Sequence, residues 1–338
     1  MVLVKLHIIL SAAIIFSCQA SKSETRKLRL YLSYYPTIAD AGIFLAQERG
    51  WYRDAGIDLK IDFKDLNIVD KVTSSHADIG MHSAHQVIQA RGQGHRVKAF
   101  AANYQINPLS IAAHPRFNSL AELKGRTVAI FSDHEKDFLR VVLSSAGMKL
   151  EDISLLKISD FSVNRLVSGL RNKEFDAVTV WEFNHPIAYA LKGFQTIQFP
   201  GCRHGFHFYG SVFFAKEHFI ENRSDDLAEF LRVTARGWQE VYKRPSEQAH
   251  AFVQRWYPTR HYIGGSKELT KDHQLMALRL LRRYLYQGVG VASYGEMTHF
   301  HWTSSLRIAE EHMLVPRGQV RPKEVYTREV LDRKKNLQ

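Results

Sequence analysis

The chain has 338 residues, of which 45% are hydrophobic and 12% aromatic, and this composition is typical of a well-packed globular protein. Its 46 Lys and Arg exceed its 34 Asp and Glu and give a net charge of +12, but the basic residues are dispersed and form no single stripe. We therefore expect no nucleic-acid partner. The two cysteines, Cys18 and Cys202, are too few for a disulfide framework.

Residues 1–17 are typical of a secretory signal peptide. Lys5 precedes an apolar run over residues 8–16, which is about half of the roughly 20 residues that a membrane-spanning helix needs. The sequence "IFSC", which ends at Cys18, resembles the lipobox of bacterial lipoproteins and implies that Cys18 is lipidated after cleavage. Residues 18–27 are polar and are predicted to be a tether. We expect a periplasmic protein anchored to the membrane by lipid, with plain secretion as the alternative.

Strands and helices alternate from about residue 28 onwards. The segment "LRLYLSYYP" alternates apolar and polar residues and is predicted to be a strand, and "ADAGIFLAQERGWYRDAG" is predicted to be a helix that stops at its glycines. Further strands are predicted at "IDLKIDF", "ADIGM" and "RVKAFAANYQ", with helices between them. This βαβαβ order predicts a parallel sheet with helices on both faces.

The same pattern starts again after "NSLAELKGR" and forms a second α/β unit, beyond which the chain is largely helical. The segments "LSIAAHP" and "YGSVFFA" are predicted to be strands that cross between the two units. The predicted fold is therefore a bilobed α/β protein with a ligand cleft between its lobes. Lobe 1 is expected to be discontinuous and to comprise residues 28–114 and 211–327. Lobe 2 is expected over residues 115–210, and a C-terminal tail over residues 328–338.

Five motifs in this order and spacing resemble those of the type II periplasmic substrate-binding proteins. They are "GIFLAQERGWYRDAGIDLKI", "ADIGMHSAHQVIQARGQGHRV", "SLAELKGRTVAI", "LVSGLRNKEFDAVTVWE" and "HMLVPRGQVRPKEVYT". Within these proteins, the chain is most similar to the branch that groups binding proteins for pyrimidine precursors of thiamine with the related pyrimidine synthase. The resemblance implies a monomeric receptor that closes on a small ligand and delivers it to an ABC permease in the inner membrane. A lipoprotein sensor that signals to a membrane partner is an alternative.

The candidate ligand-binding residues follow the predicted strands, because ligands in such sheets bind at the carboxyl ends of strands. They are Tyr35, Asp40, His82, Ser83, Gln105, Asn107, Ser132, His134, Trp181, Glu182 and Tyr209. Aromatic rings, amides and a few carboxylates together suit a flat ring that contains nitrogen. We expect no cofactor.

Several of these residues also have a purely structural interpretation. Tyr34 and Tyr35 point to opposite faces of a strand, and we expect Tyr35 to be the one at the cleft. Tyr35 and Trp181 would stack on the ligand ring, although a Trp after a buried strand also serves as core packing. Asp40 or Glu182 would accept hydrogen bonds from ring amines. Asp40 is also a residue type that commonly caps the N-terminus of a helix.

The resemblance also bears on the identity of the ligand. Relatives in the thiamine branch carry an Asn-His pair near the position of Ala39 and Asp40. A thiamine pyrimidine precursor is the first hypothesis, whereas the carboxylate of Asp40 favours a more cationic or donor-rich ligand.

An enzyme is the first alternative, because the resemblance includes a synthase that binds pyridoxal phosphate through a Lys and uses its own His. His82 occupies the position of that Lys, and Gln86 occupies the position of that His. An imidazole cannot form an aldimine. The synthase also carries a run of cysteines where this chain has Cys202 alone. We therefore predict that the chain is not an enzyme.

A metal-binding receptor is the second alternative. Cys202, His204 and His207 form a Cys-x-His-x-x-His cluster, and His82 and His85 lie three residues apart. These ligand types suit zinc or nickel. However, strand geometry would put His204 and His207 on opposite faces. We expect no metal site.

Overall fold

The computed structural model describes residues 25–32, 36–63, 67–160, 162–256 and 267–337. The predicted signal peptide, the lipidation site Cys18 and the candidate ligand residue Tyr35 lie outside these ranges. Ten strands are formed within them: β1 (Arg26–Leu32), β2 (Ile57–Asp62), β3 (Ile79–His82), β4 (Val97–Tyr104), β5 (Leu109–Ala113), β6 (Thr127–Ile130), β7 (Ser154–Lys157), β8 (Ala177–Trp181), β9 (Ile197–Pro200) and β10 (Ser211–Lys216).

The same ranges contain thirteen α-helices and several short 3-10 turns. The helices are α1 (Ala41–Glu48), α2 (Trp51–Asp54), α3 (Ile68–Thr73), α4 (Ala84–Gly92), α5 (Glu135–Ser144), α6 (Val163–Arg171), α7 (His185–Leu191), α8 (Glu217–Lys243), α9 (Pro245–Trp256), α10 (Lys267–Tyr286), α11 (His299–Glu311), α12 (Pro322–Val325) and α13 (Glu329–Asn336). Two of the 3-10 turns concern the site, Ile38–Asp40 before α1 and Gly201–Arg203 after β9.

Two five-stranded sheets form the centres of the two lobes, as predicted. The lobe 1 sheet has the order β2-β1-β3-β10-β4, and the lobe 2 sheet has the order β7-β6-β8-β5-β9. The alternation in β1 buries Leu28, Leu30 and Leu32 on the core side. In β8 the first four residues are all buried, which is the pattern of a central strand covered on both faces.

Each sheet is mixed rather than purely parallel. β1 runs parallel to β2 and β3, whereas β10 lies between β3 and β4 and is antiparallel to both. In lobe 2, β5 is antiparallel to β8 and β9. The physical reason is that β5 and β10 are the strands by which the chain enters a lobe from the other one, so each arrives from the opposite direction.

The two crossovers are short, and the first comes earlier than the predicted boundary between residues 114 and 115. β4 ends at Tyr104 in the lobe 1 sheet and β5 begins at Leu109 in the lobe 2 sheet, so the chain crosses over residues 105–108. It returns over residues 204–210, between the Gly201–Arg203 turn and β10. Both crossing strands thus belong entirely to the lobes that they enter.

The ends of lobe 1 also differ from the expectation. β1 begins at Arg26, so the last two residues of the predicted tether belong to the sheet. The predicted tail contains α13, which packs against α8 and β4 because Val330 and Leu331 are buried there. Lys334 is also buried, and its Nζ donates to the carbonyl of Tyr294 (2.6 Å).

The lobes touch each other along α10, which packs against α9 and also against α7 of lobe 2. Lobe 2 has a smaller apolar core of its own beneath α6, formed by residues such as Leu166, Leu170 and Phe175. In the part of the chain that the structure describes, every helix falls short, in length or in apolar character, of what a bilayer crossing requires.

Candidate functional site

A cavity of about 310 Å³ lies between the two lobes. Lobe 1 contributes α3, the end of β3 and α4, and lobe 2 contributes the turn after β6 and the start of α5. The polar side chains that line it are Asn67, Asp70, His82, Gln86, Gln89, Gln93, Asp133, His134 and Asp137. The cavity therefore lies at the carboxyl ends of β3 and β6, where the cleft was predicted.

The lobe 1 wall follows from the way β3 passes into α4. Gly80 in β3 gives the ring of Phe214 room to pack, because a Cβ at Gly80 would lie 2.4 Å from Phe214 Cε1. The strand then ends at His82, and α4 begins two residues later. Gln86, Gln89 and Gln93 follow at helical spacing, so one face of α4 presents three amides to the cavity.

Side chains from the two lobes meet across this cavity. The amide Nε2 of Gln89 donates to Oδ2 of Asp137 (2.8 Å), which joins α4 to α5. The rings of His82 and His134 lie edge to face, with their centroids 6.0 Å apart. The structure thus brings together two of the predicted site residues that are far apart in the sequence.

The imidazole of His82 is neutral. Burial lowers the pKa of His82 to about 3, and the nearby His134 lowers it further in the same direction. Asp133 is paired with Lys136 (2.7 Å) and Lys157 (2.8 Å). No Lys or Arg is among the described residues that line the cavity. The wall therefore offers amides, the neutral imidazole of His82, the imidazole of His134 and the carboxyl groups of Asp70, Asp133 and Asp137. Amides and a neutral imidazole can both donate and accept hydrogen bonds.

Asp40 does not cap α1, which was one of its two interpretations, because its side chain makes no cap hydrogen bond to that helix. Its carboxylate belongs instead to the 3-10 turn that precedes α1. Its Oδ2 accepts from the backbone N–H of Thr37 (3.0 Å), and the Thr37 hydroxyl accepts from the N–H of Ala39 (3.2 Å). This is a capping box around the Ile38–Asp40 turn. Burial raises the pKa of Asp40 to about 7. Asp40 is not among the residues that line the cavity.

Ser83 and Asn107 are hydrogen-bonded to each other and do not line the cavity. Asn107 Nδ2 donates to Ser83 Oγ (2.9 Å), and the same Oγ is hydrogen-bonded to Nδ1 of His85 (2.7 Å). Asn107 lies in the first crossover, so this pair connects the crossover to the turn before α4.

Trp181 and Glu182 lie at the end of β8 and are not among the residues that line the cavity. The half-buried ring of Trp181 packs edge-on against Tyr104 of β4 (6.4 Å) and Phe183 (5.6 Å). The carboxylate of Glu182 accepts from the hydroxyl of Tyr284 in α10. Both residues therefore contribute to contacts between the lobes.

The remaining candidates have structural partners away from the cavity wall. Gln105 Nε2 donates to the carbonyl of Glu296 (3.0 Å). Tyr209 is buried, its ring stacks on His301 (3.9 Å), and its hydroxyl accepts from the N–H of Thr298 (2.9 Å). Ser132 lies in the turn after β6, beside the cavity residue Asp133.

Several residues of the cavity wall are not among the predicted ligand-binding residues. These are Asn67, Asp70, Gln86, Gln89, Gln93 and Asp137. The amide stripe on α4 was detectable, because Gln86, Gln89 and Gln93 are spaced by three and four residues directly after "ADIGMHS". These glutamines lie in the helical segment beyond the strand end, whereas the predicted ligand-binding residues were taken from the strand ends.

The three residues of the metal alternative do not form a cluster. Cys202 lies in the Gly201–Arg203 turn, and Nδ1 of His204 is hydrogen-bonded to the Ser145 hydroxyl (3.2 Å). His207 lies near His301, on the other side of the crossover. Among the described ranges, no group of three His, Cys, Asp or Glu side chains is arranged to hold a metal ion.

The chain resembles known binding proteins over most of its length. The formylaminopyrimidine-binding protein of Halalkalibacterium halodurans is 24% identical over 260 residues, which are 73% of this chain and 77% of the relative. The riboflavin-binding protein RibY of Chloroflexus aurantiacus is 23% identical over 230 residues, which are 66% of this chain and 64% of the relative. A 4-amino-5-hydroxymethyl-2-methylpyrimidine phosphate synthase of Saccharomyces cerevisiae matches a shorter part, at 23% identity over 152 residues, or 43% of this chain and 44% of the enzyme.

The fold is shared with solved structures of importer components. The alkanesulfonate-binding protein SsuA of Xanthomonas axonopodis superposes with a TM-score of 0.66 at 14% identity, over 90% of this chain and 99% of SsuA. A family model described as "NMT1/THI5 like" matches residues 38–248. The predicted resemblance is confirmed: this chain belongs to the NMT1/THI5-like family and has the bilobed fold of the periplasmic binding proteins.

Proposed function

We propose that the chain is a periplasmic solute-binding protein that captures a small heterocyclic ligand between its lobes and delivers it to an ABC permease. The observation that carries this proposal is the cavity between the lobes, whose wall combines amides from α4 with the neutral imidazole of His82 and the imidazole of His134. Ligand capture between two hinged lobes also supplies a closed form that a permease can recognise. The family and the binding proteins among its relatives support the same class of function.

A pyrimidine precursor of thiamine is the proposed ligand. The ligands for which the two binding-protein relatives are named, a formylaminopyrimidine and riboflavin, both contain flat rings with nitrogen atoms. A volume of about 310 Å³ lies at the lower end of the range for ligand sites, which favours a single ring over riboflavin. Ring nitrogens and an exocyclic amine would match the donors and acceptors of Gln86, Gln89 and His82.

We propose binding rather than catalysis. Catalysis of the synthase type requires an amine that forms an aldimine, and this chain presents the imidazole of His82 at the corresponding position. Burial keeps that imidazole neutral. The resemblance to the yeast synthase also covers less of this chain than the resemblance to either binding protein.

We further propose that Cys18 anchors the protein to the membrane after signal-peptide cleavage. The test is incorporation of labelled palmitate by cells that express the chain. We expect label in the wild-type protein and none in Cys18→Ala. Equal labelling of Cys18→Ala and wild type would refute Cys18 as the lipidation site, and no label in either would favour plain secretion.

The ligand proposal is tested by thermal denaturation in the presence of four probes: 4-amino-5-hydroxymethyl-2-methylpyrimidine, riboflavin, MOPS and putrescine. A ligand at about a hundred times its dissociation constant stabilises the folded state by about 2.7 kcal/mol. We expect this stabilisation with the pyrimidine and not with MOPS, because no described cation lines the cavity. If MOPS alone raises the denaturation temperature, the ligand is a sulfonate and not a pyrimidine. If none of the four probes raises it, the proposed ligand class is refuted.

A further inference from the structure

Ser83 occupies the N-cap of α4 but does not cap the helix. A Ser at this position normally accepts a hydrogen bond from a backbone N–H of the first helical turn. Here its side chain makes no such bond. Its Oγ instead accepts from Asn107 Nδ2 (2.9 Å) and is hydrogen-bonded to His85 Nδ1 (2.7 Å). The hydroxyl therefore connects α4 to the first crossover in place of its ordinary local role.

The same turn is also fixed to the second crossover. The N–H of Ala84 donates to the carbonyl of Tyr209 (3.1 Å). The buried ring of His85 packs against Phe206 and Phe208, with centroid distances of 5.2 Å and 5.6 Å. The turn Ser83–His85 is thus in contact with both segments by which the chain passes between the lobes.

The two crossovers are themselves in backbone contact at Gly210. A Cβ at Gly210 would lie 2.3 Å from the carbonyl oxygen of Ile106 and 2.8 Å from Cα of Asn107, so only glycine fits there without displacement. The N–H of Gly210 donates to the carbonyl of Tyr104 (3.1 Å). A rotation of one crossover therefore moves the other, and with it the turn that both of them hold.

The residues on either side of this turn, His82 and Gln86, line the cavity. We propose that Ser83 and Asn107 are positioning residues, whose hydrogen bond makes the ordering of the cavity wall and the movement of the crossovers a single transition. The relevance of this link to ligand capture rests on the proposed function. The link itself is a property of the protein without ligand, and it can be measured in that form.

The test is hydrogen exchange of the full chain without ligand, in variants that perturb the link from either end. Loss of one hydrogen bond is expected to speed exchange by about fivefold. In Asn107→Ala we expect faster exchange in the turn 82–86 and in the second crossover 204–210. In Ser83→Ala we expect the reciprocal effect at 105–108 and 204–210, because coupling between two sites is mutual.

Two further variants make the result specific. Ser83→Thr retains the hydroxyl and is expected to restore slow exchange. Ser168→Ala removes a hydroxyl that donates to the carbonyl of Arg165 (3.0 Å) on the surface of lobe 2, and it is expected to leave the turn and both crossovers unchanged. If each variant speeds exchange only in its own segment, the proposed link is refuted, even if all variants remain folded by circular dichroism.

A second measurement separates this inference from the proposed function. Titration of the same variants with 4-amino-5-hydroxymethyl-2-methylpyrimidine is expected to show weaker binding in Ser83→Ala and normal binding in Ser83→Thr. Coupled exchange without any pyrimidine binding would refute the proposed ligand and leave the link standing. Normal binding in Ser83→Ala together with uncoupled exchange would refute the link and leave the ligand standing.

Discussion

The carboxylate of Asp40 is held in a buried capping box, and its environment gives it an unusual titration. Burial raises its pKa from 3.8 to about 7, although the hydrogen bonds from Thr37 act in the opposite direction. Between these pH values the folded state binds a proton that the unfolded chain does not bind. The stability contributed by this group is therefore present at low pH and is lost as pH rises through about 7.

We predict that Asp40→Asn is more stable than the wild type at pH 8 and similar to it near pH 4. The amide oxygen of Asn still accepts from the N–H of Thr37, but it carries no charge to bury. Thermal denaturation from pH 4 to pH 8 tests this. Asp40→Ala, which removes the acceptor, is expected to cost about 1 kcal/mol at either pH. If Asp40→Asn is less stable than the wild type at pH 8, the negative charge of Asp40 stabilises the fold and the prediction is wrong.

His134 and Trp181 distinguish between two positions for the ligand. His134 is exposed and lines the cavity, so His134→Ala is expected to weaken pyrimidine binding at least about tenfold, with less than about 0.5 kcal/mol change in stability. Trp181 does not line the cavity and packs between the lobes, so Trp181→Ala is expected to lower stability. Calorimetric titration and urea denaturation measure both. Lost binding in Trp181→Ala with normal binding in His134→Ala would move the ligand to the Trp181 side.

At the level of elements, α10 connects the lobes through polar contacts at both ends of its length. Nε2 of His273 is hydrogen-bonded to the carbonyl of Asn184 (2.9 Å), and the hydroxyl of Tyr284 donates to Glu182. These contacts hold α10 against the end of β8 and the start of α7. Because these hydrogen bonds join α10 of lobe 1 to lobe 2, weakening them is expected to make the lobes separate more readily.

We predict that Tyr284→Phe destabilises the protein by about 1 kcal/mol, since it removes a hydrogen bond to a half-buried carboxylate. Tyr286→Phe is the matched control, because the buried hydroxyl of Tyr286 has no hydrogen-bond partner among the residues that the structure describes. That variant is expected to be neutral or stabilising. Urea denaturation compares the two, and a cycle with Glu182→Gln isolates the pair. Equal effects of the two Phe variants would contradict the assignment.

The order of strands and helices could be predicted because each β-strand is a short segment of apolar or of alternating apolar and polar residues, followed by polar residues or glycine. Assigning β5 and β10 to their sheets could not be done in this way, since apolar runs do not reveal which sheet they join. α13 was missed for a related reason. The segment "EVLDRKKN" is highly charged, and Val330 and Leu331 are too few to predict burial without the surface of α8.

The candidate site was partly predictable for the same physical reasons. His82 and His134 follow strands, and strand ends meet at one edge of a sheet. Their approach across the cavity depends on how the lobes face each other, which local sequence does not encode. The partnership between Gln89 and Asp137 likewise requires that α4 and α5 meet.

At the scale of the whole molecule, histidines with lowered pKa values determine how the stability of the fold changes as pH falls. Burial lowers the pKa of five of them, to about 3 for His82 and His85 and to about 4 for His185, His273 and His301. Two buried carboxyls have the opposite shift, with pKa values raised to about 7 in Asp40 and Glu135. Between about pH 4 and 6.5 the unfolded chain thus binds more protons than the folded chain.

We therefore predict that the protein loses stability as pH falls from 6.5 towards 4, because unfolding releases histidines that then bind protons. The loss is expected to be steeper in Asp40→Asn, which lacks one of the two carboxyls that bind protons in the folded state. Denaturation midpoints in urea between pH 7.5 and pH 4.5 measure this. A midpoint that is constant or rises on acidification would contradict the prediction.

The position of β10 between β3 and β4 has a consequence for the order of folding. Lobe 2 is formed by one continuous segment, so its sheet is complete once β9 has been made. The lobe 1 sheet lacks its fourth strand until residue 216 is available, since β4 pairs within the sheet through β10. Until then, the edges of β3 and β4 remain open to other chains. During synthesis, lobe 1 is therefore the part that depends most on being kept from premature association.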